Sequence, residues 1–175
     1  MYQNAEIHTL SSGPFQFCNF ISSTQSHLCI FVSVNMLNIT RLTLSHNRIK
    51  DIPPSIAYLV NLEILTLFNN QIEELPVSIS SLPKLRILNV GMNRLDSLPR
   101  GFGALPVLEV LDLTYNNLNE NSLPGNFFML ETLRALYLGD NDFEVLPPEI
   151  GQLKNLQILV LRENDLIDVP KKSES

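Results

Sequence analysis

Apolar residues along this chain recur in a fixed order. In the stretch Leu62-Glu63-Ile64-Leu65-Thr66-Leu67-Phe68-Asn69-Asn70-Gln71-Ile72 leucines hold the first, fourth and sixth slots, Asn the ninth and an aliphatic residue the eleventh. Ile39, Leu42, Leu44, Asn47 and Ile49 fill the same slots upstream. Downstream they are filled by Leu85, Leu88, Val90, Asn93 and Leu95, then Leu108, Leu111, Leu113, Asn116 and Leu118. Leu133, Leu136, Leu138, Asn141 and Phe143 follow, and last Leu156, Leu159, Leu161, Asn164 and Leu166. Alternate side chains of a strand point to opposite faces. Leu65 and Leu67 are therefore predicted to enter a core, with Ile64, Thr66 and Phe68 on the other face of a short strand. The Asn comes where the chain must turn. Its amide donates and accepts, which predicts a column of Asn bonding the turn backbone of its own and the next repeat.

A second pattern fills the space between strands. Ile52-Pro53, Leu75-Pro76, Leu98-Pro99, Leu123-Pro124 and Leu146-Pro147 share one slot, each followed by apolar residues spaced by three, such as Ile79 and Leu82. Proline suits the first turn of a helix because its missing N–H has no partner there. Short helical or 3₁₀ turns on the convex side are predicted. The whole is the leucine-rich repeat signature, whose period falls between about 20 and 29 residues. The expected fold is an α/β solenoid, a leucine-rich repeat horseshoe with a parallel concave sheet. Residues 36–170 form the array of six strand repeats, the last incomplete. Residues 1–35 are an ill-defined N-terminal segment or partial cap, and 171–175 a short tail. The fourth repeat is longer by two residues, predicted to form a loop around Asn119, Glu120, Asn121 and Ser122 that leaves the stack intact.

Both ends of a solenoid need cover, because bare terminal repeats expose apolar surface and strand edges. The apolar stretch 28–37 is a candidate strand over the first repeat. After Val169-Pro170 the chain shows no further Ile-x-x-Leu, which leaves Leu156, Leu159, Leu161 and Leu166 with nothing stacked beyond them and favours a truncated product.

Composition narrows the setting. The net charge of −6 comes with no basic stripe, which argues against nucleic acid as a partner. Cys18 and Cys29 both precede the repeats, and no Cys-clustered cap flanks the array, which favours free thiols in a reducing, cytoplasmic compartment. No secretory signal pattern opens the chain, and the apolar stretch 28–37 is too short for a membrane span. The sequon Asn38-Ile39-Thr40 carries weight only in a secreted protein. His8, His27 and His46 are scattered, and neither a metal spacing, a nucleophile motif nor a phosphate loop is present. No catalysis and no cofactor are expected.

What remains is a surface. Slots around the strand predict concave columns that carry Phe68, Asn69, Asn89, Met92, Asp112, Tyr115, Tyr137, Asp140 and Arg162. Aromatic and apolar anchors beside charged residues are the composition of a protein-binding patch.

Beyond the repeat slots, Asn69-Asn70-Gln71-Ile72-Glu73-Glu74-Leu75-Pro76, Leu98-Pro99-Arg100-Gly101-Phe102-Gly103 and Leu111-Asp112-Leu113-Thr114-Tyr115-Asn116-Asn117-Leu118 resemble the Ras suppressor family. So do Gly91-Met92-Asn93-Arg94-Leu95, Asn121-Ser122-Leu123-Pro124-Gly125-Asn126-Phe127-Phe128 and Leu133-Arg134-Ala135-Leu136-Tyr137-Leu138. The likeness covers roughly residues 36–170 and includes the two-residue expansion. It implies a non-catalytic cytoplasmic adaptor recruited to focal adhesions. Such an adaptor binds the C-terminal LIM region of PINCH, joins integrin-linked kinase and parvin, and damps Ras signalling. Residues 1–35 depart from the family, as does the point where the chain stops. A regulator that binds a small GTPase or its effector is the alternative reading, with a Ras-pathway protein as the partner, and a truncated product without a stable binding role a further one.

Overall fold

The computed structural model describes residues 6–9 and 37–167. Seven strands form one sheet in chain order. They are β1 (Glu6–Thr9), β2 (Ile39–Thr43), β3 (Ile64–Thr66), β4 (Ile87–Asn89), β5 (Val110–Asp112), β6 (Ala135–Tyr137) and β7 (Ile158–Val160). Strands β2 to β7 run parallel and pair slot for slot, so that Leu42, Leu65, Leu88, Leu111, Leu136 and Leu159 stand side by side. In β3, β4 and β5 the middle leucine is buried between two half-buried neighbours, as the two-residue alternation requires.

The other edge of β2 is taken by β1, which pairs antiparallel with it. Among the described residues the covering strand is Glu6–Thr9; of the candidate stretch 28–37, residues 28–36 lie outside the described residues. So do Cys18, Cys29, Val169, Pro170 and the tail 171–175.

Convex elements are all 3₁₀ among the described residues: Pro54–Tyr58, Val77–Ser81, Phe102–Ala104, Phe127–Met129 and Pro148–Gln152. The shared proline explains the geometry. It cannot donate, but its carbonyl accepts the N–H three residues on: Ile56 N to Pro53 O at 3.0 Å, Ile79 N to Pro76 O at 3.0 Å, Phe127 N to Pro124 O at 2.8 Å. One such turn closes, and the chain then enters the next strand. Ile56, Ile79, Phe102 and Phe127 project inward and are buried. The rings of Phe102 and Phe127 stack at 6.2 Å, and Phe128 meets Phe127 edge-on at 5.5 Å.

The Asn column is present, with a different direction from the expected one. Asn70 Nδ2 donates to Leu67 O at 2.8 Å and to Leu44 O at 3.0 Å, and Asn70 Oδ1 accepts from Ile49 N at 3.0 Å. Each Asn thus serves its own repeat and the preceding one. The reason lies in the ladder. Leu67 N still pairs forward with Asn89 O, whereas the Leu67 carbonyl and the Ile72 N–H are bonded by the Asn93 amide of the following repeat. Asn47 has no such turn before it among the described residues, and its Oδ1 is buried without a hydrogen-bond partner.

The two-residue expansion is a docked turn. Asn119 N donates to Ser122 Oγ at 2.8 Å, Asn121 N to Asn119 Oδ1 at 2.9 Å, and Ser122 Oγ to Asp96 O at 2.5 Å. Leu98 N donates to Ser122 O at 2.9 Å. The extra residues are absorbed there, and β5 and β6 keep their register.

At the C-terminal end of the described array, Leu159 is 36% exposed, whereas its counterpart Leu136 is fully buried. Ile158 and Ile167 are exposed beside it.

Candidate functional site

The concave face is built from the slots that alternate with the core leucines, together with the turn that ends each strand. That turn has an uncommon backbone. His46, Asn69, Met92, Tyr115, Asp140 and Glu163 all have positive φ, between 51° and 58°. Four of them, Asn69, Met92, Tyr115 and Asp140, are among the predicted concave residues, and all six form a left-handed turn at the edge of that face. The turn lets the following Asn fold back beneath the sheet. L-residues other than Gly, Asn and Asp lose about 1–2 kcal/mol in this conformation, so Met92, Tyr115 and Glu163 oppose the local backbone preference. Met92 is 40% exposed and Tyr115 50% exposed.

Two groups of the predicted residues come together. Toward β2, Phe68 leans over Gly91, where an added Cβ would lie 3.2 Å from Phe68 Cδ2. The Phe68 ring meets His46 edge-on at 5.5 Å, and Asn69 Nδ2 is 2.9 Å from His46 Nδ1. Asn89 Oδ1 accepts the Gly91 N–H at 3.0 Å, which fixes the turn below that ring. Toward β7, Asp112 stands beside Tyr137 in the paired strands β5 and β6. Tyr115 stands beside Asp140 on the rim, with Tyr115 N bonded to Gly139 O at 3.0 Å and Asn116 N to Asp140 O at 3.3 Å. Asp112 Oδ1 accepts the Thr114 N–H at 3.0 Å. Arg162 crosses Gly139 and reaches Asp140 Oδ2 at 3.7 Å. Met92 lies between the groups, joined to the preceding repeat by Asn70 N to Met92 O at 3.1 Å and to the following one by Met92 N to Thr114 O at 2.8 Å.

Sequence reasoning passed over a charged row on the opposite rim. Glu63, Arg86, Glu109 and Arg134 occupy the slot after the first Leu in four consecutive repeats. Arg86 and Glu109 form a two-point pair, Nε to Oε1 at 3.2 Å and Nη2 to Oε2 at 3.1 Å. That hydrogen bond, with the nearby charge of Arg134, holds the Glu109 carboxyl below its usual range, and Glu109 in turn raises Arg86. The alternation of sign at one slot was the available signal.

Among the described residues no group of His, Cys, Asp and Glu is placed to hold a metal ion, and no helix is long and apolar enough to cross a membrane.

Comparisons with known proteins agree with this architecture. The family described as a leucine-rich repeat region matches residues 18–121, and the single leucine-rich repeat matches residues 132–153. A leucine-rich repeat protein of Leptospira interrogans is 34% identical over 76% of this chain, with a TM-score of 0.72. The chain spans only 33% of that protein's length. The leucine-rich repeat ectodomain of the receptor kinase SOBIR1 from Arabidopsis thaliana is 32% identical, with 76% of this chain and 75% of that one covered and a TM-score of 0.62. An internalin of Listeria monocytogenes is 26% identical over 71% of this chain and 35% of its own, also at a TM-score of 0.62. No curated protein matches the chain. With the family matched over more than half the sequence, and with a parallel sheet, an Asn column and 3₁₀ turns repeating at its period, the chain belongs to the leucine-rich repeat family.

Proposed function

We propose that the concave face docks a protein partner, and that the chain is a non-catalytic cytoplasmic adaptor whose partner is a LIM domain of PINCH at integrin adhesions, with damping of Ras signalling as the consequence. Leucine-rich repeat domains mediate protein–protein interaction, which supports the first part. The finer part rests on the resemblance of residues 36–170 to the Ras suppressor family.

The observation that carries the docking face is the pair Met92 and Tyr115. Both sit in the left-handed turn, where their residue types are disfavoured, and both leave much of the side chain in water. The fold gains little from either choice. Neighbouring exposed anchors that cost stability are what a binding surface requires.

Titration of the full chain with the C-terminal LIM region of PINCH tests this reading. Saturable binding that Tyr115→Ala weakens by about tenfold, with the melt unchanged, is the expected result. Equal affinity for the wild type and for Tyr115→Ala and Met92→Ala variants would remove the site from this face. Absence of binding would remove the LIM partner.

A further inference from the structure

We infer that the C-terminal half of the concave face is a receiving site for a cationic side chain, arginine above all, presented by the partner, and that Arg162 of the chain itself occupies it in the free protein. The inference rests on the docking face proposed above and names the chemistry that the face selects.

The site is a two-by-two arrangement on adjacent repeats. Asp112 and Tyr137 stand side by side in paired strands, and Tyr115 and Asp140 stand side by side on the rim. Acid and aromatic thus alternate in both directions. Between the two rows lie Thr114 and, in the next repeat, Gly139, which brings no side chain and leaves the floor bare beside Asp140. A guanidinium is planar and weakly hydrated. It pairs with carboxylates and lies flat on aromatic faces, so an acid–aromatic alternation around a floor left bare at Gly139 matches it.

Arg162 shows that the place accepts such a group. Its side chain runs across the floor, with Cγ 3.2 Å and Nε 3.5 Å from where a Gly139 Cβ would stand, and its guanidinium reaches Asp140 Oδ2 at 3.7 Å. The fit is partial. The Arg162 side chain is 67% exposed, whereas that of Asp140 is only 14% exposed. Asp140 Oδ2 is buried and has no hydrogen-bond donor among the described residues, so the carboxylate is desolvated for a contact that Arg162 meets only at ion-pair distance. A buried carboxylate oxygen without a donor is costly. An arginine arriving from above can supply the donor that Arg162, entering from the next repeat, does not.

The consequence has a distinctive sign: Arg162 competes with the ligand. The probe is a short arginine–glycine repeat peptide, with its neutral citrulline counterpart as control. Both are titrated into the full chain at low ionic strength and followed by amide resonances. The arginine peptide is expected to shift Thr114, Gly139 and Asp140, and the citrulline peptide to leave them in place. Arg162→Ala should tighten arginine-peptide binding by about threefold, and Asp140→Asn should weaken it by about as much. Asn tolerates the left-handed turn, so the second variant keeps the fold. Shifts confined to other surfaces, equal response to the citrulline peptide, or an Arg162→Ala affinity that is unchanged or weaker would overturn the inference. The LIM titration stays separate. Binding there that depends on Tyr115, with failure here, would leave the docking face standing and remove only its preference for a cation.

Discussion

The backbone of Asn126 crosses Gly103 so closely that a Cβ on Gly103 would stand 1.7 Å from the Asn126 carbonyl oxygen. The contact joins the 3₁₀ turns of two consecutive repeats on the convex side, and the opposing atom is backbone and cannot swing away. Gly103→Ala is expected to destabilise the chain by about 1–3 kcal/mol, the range for overpacking. Gly125→Ala, with nothing within 4 Å, should stay within about 0.5 kcal/mol of wild type. Urea denaturation of both variants measures the difference.

Asn93 donates to Leu67 O, Val90 O and Gly91 O and accepts from Ile72 N. Its replacement by Ala leaves buried backbone groups unpaired, at about 1–3 kcal/mol for each group left without a partner. Asn47 donates to Leu44 O and Ser45 O, while its Oδ1 has no hydrogen-bond partner among the described residues. Asn47→Ala should therefore cost distinctly less than Asn93→Ala in the same denaturation assay. Equal losses would show that the accepting half of the column contributes nothing.

Glu163 is exposed and has a φ of 51°. Asn accepts that conformation more readily, so Glu163→Asn should raise stability by up to about 1 kcal/mol, read as an increase in melting temperature.

Glu109 gives a pH signature. Its carboxyl is lowered in the folded chain by the hydrogen bond to Arg86. Its contribution is therefore present above the unfolded carboxylate value, about 4.3, and is lost as pH falls through the lower folded value. The stability gap between wild type and Glu109→Gln should be open at neutral pH, close in acid, and shrink with added salt, because the pair is exposed. A gap that is constant with pH would mean that the pair contributes nothing through its charge.

Leu136 and Leu159 hold the same slot in adjacent repeats, one fully buried and the other 36% exposed. Leu136→Ala is expected to cost about 2–5 kcal/mol. Leu159→Ala should cost clearly less, since part of its surface already meets water. Parallel thermal melts compare the two.

Much of this was legible beforehand because strand alternation and the repeat slots act together. Leu65 and Leu67 had to share one face, and Pro53, Pro76 and Pro147 had to open turns. The left-handed turn was hidden because its slot carries His46, Asn69, Met92, Tyr115, Asp140 and Glu163, and Met, Tyr and Glu give no sign of such a backbone. The strand Glu6–Thr9 lies outside the repeat, so no periodicity pointed to it. The meeting of Arg162 with Asp140 depends on Gly139 having no side chain, a relation between two repeats that reading one repeat at a time does not show.

The backward reach of each Asn displaces damage along the chain. Because Asn93 closes the turn at Ile72, and Asn116 the turn at Leu95, a lesion in one coil is felt in the coil upstream of it. Amide hydrogens of an Asn-substituted variant would exchange fastest about one period before the altered residue. A map of local fraying along the array therefore has to be shifted by a coil before it points to its cause.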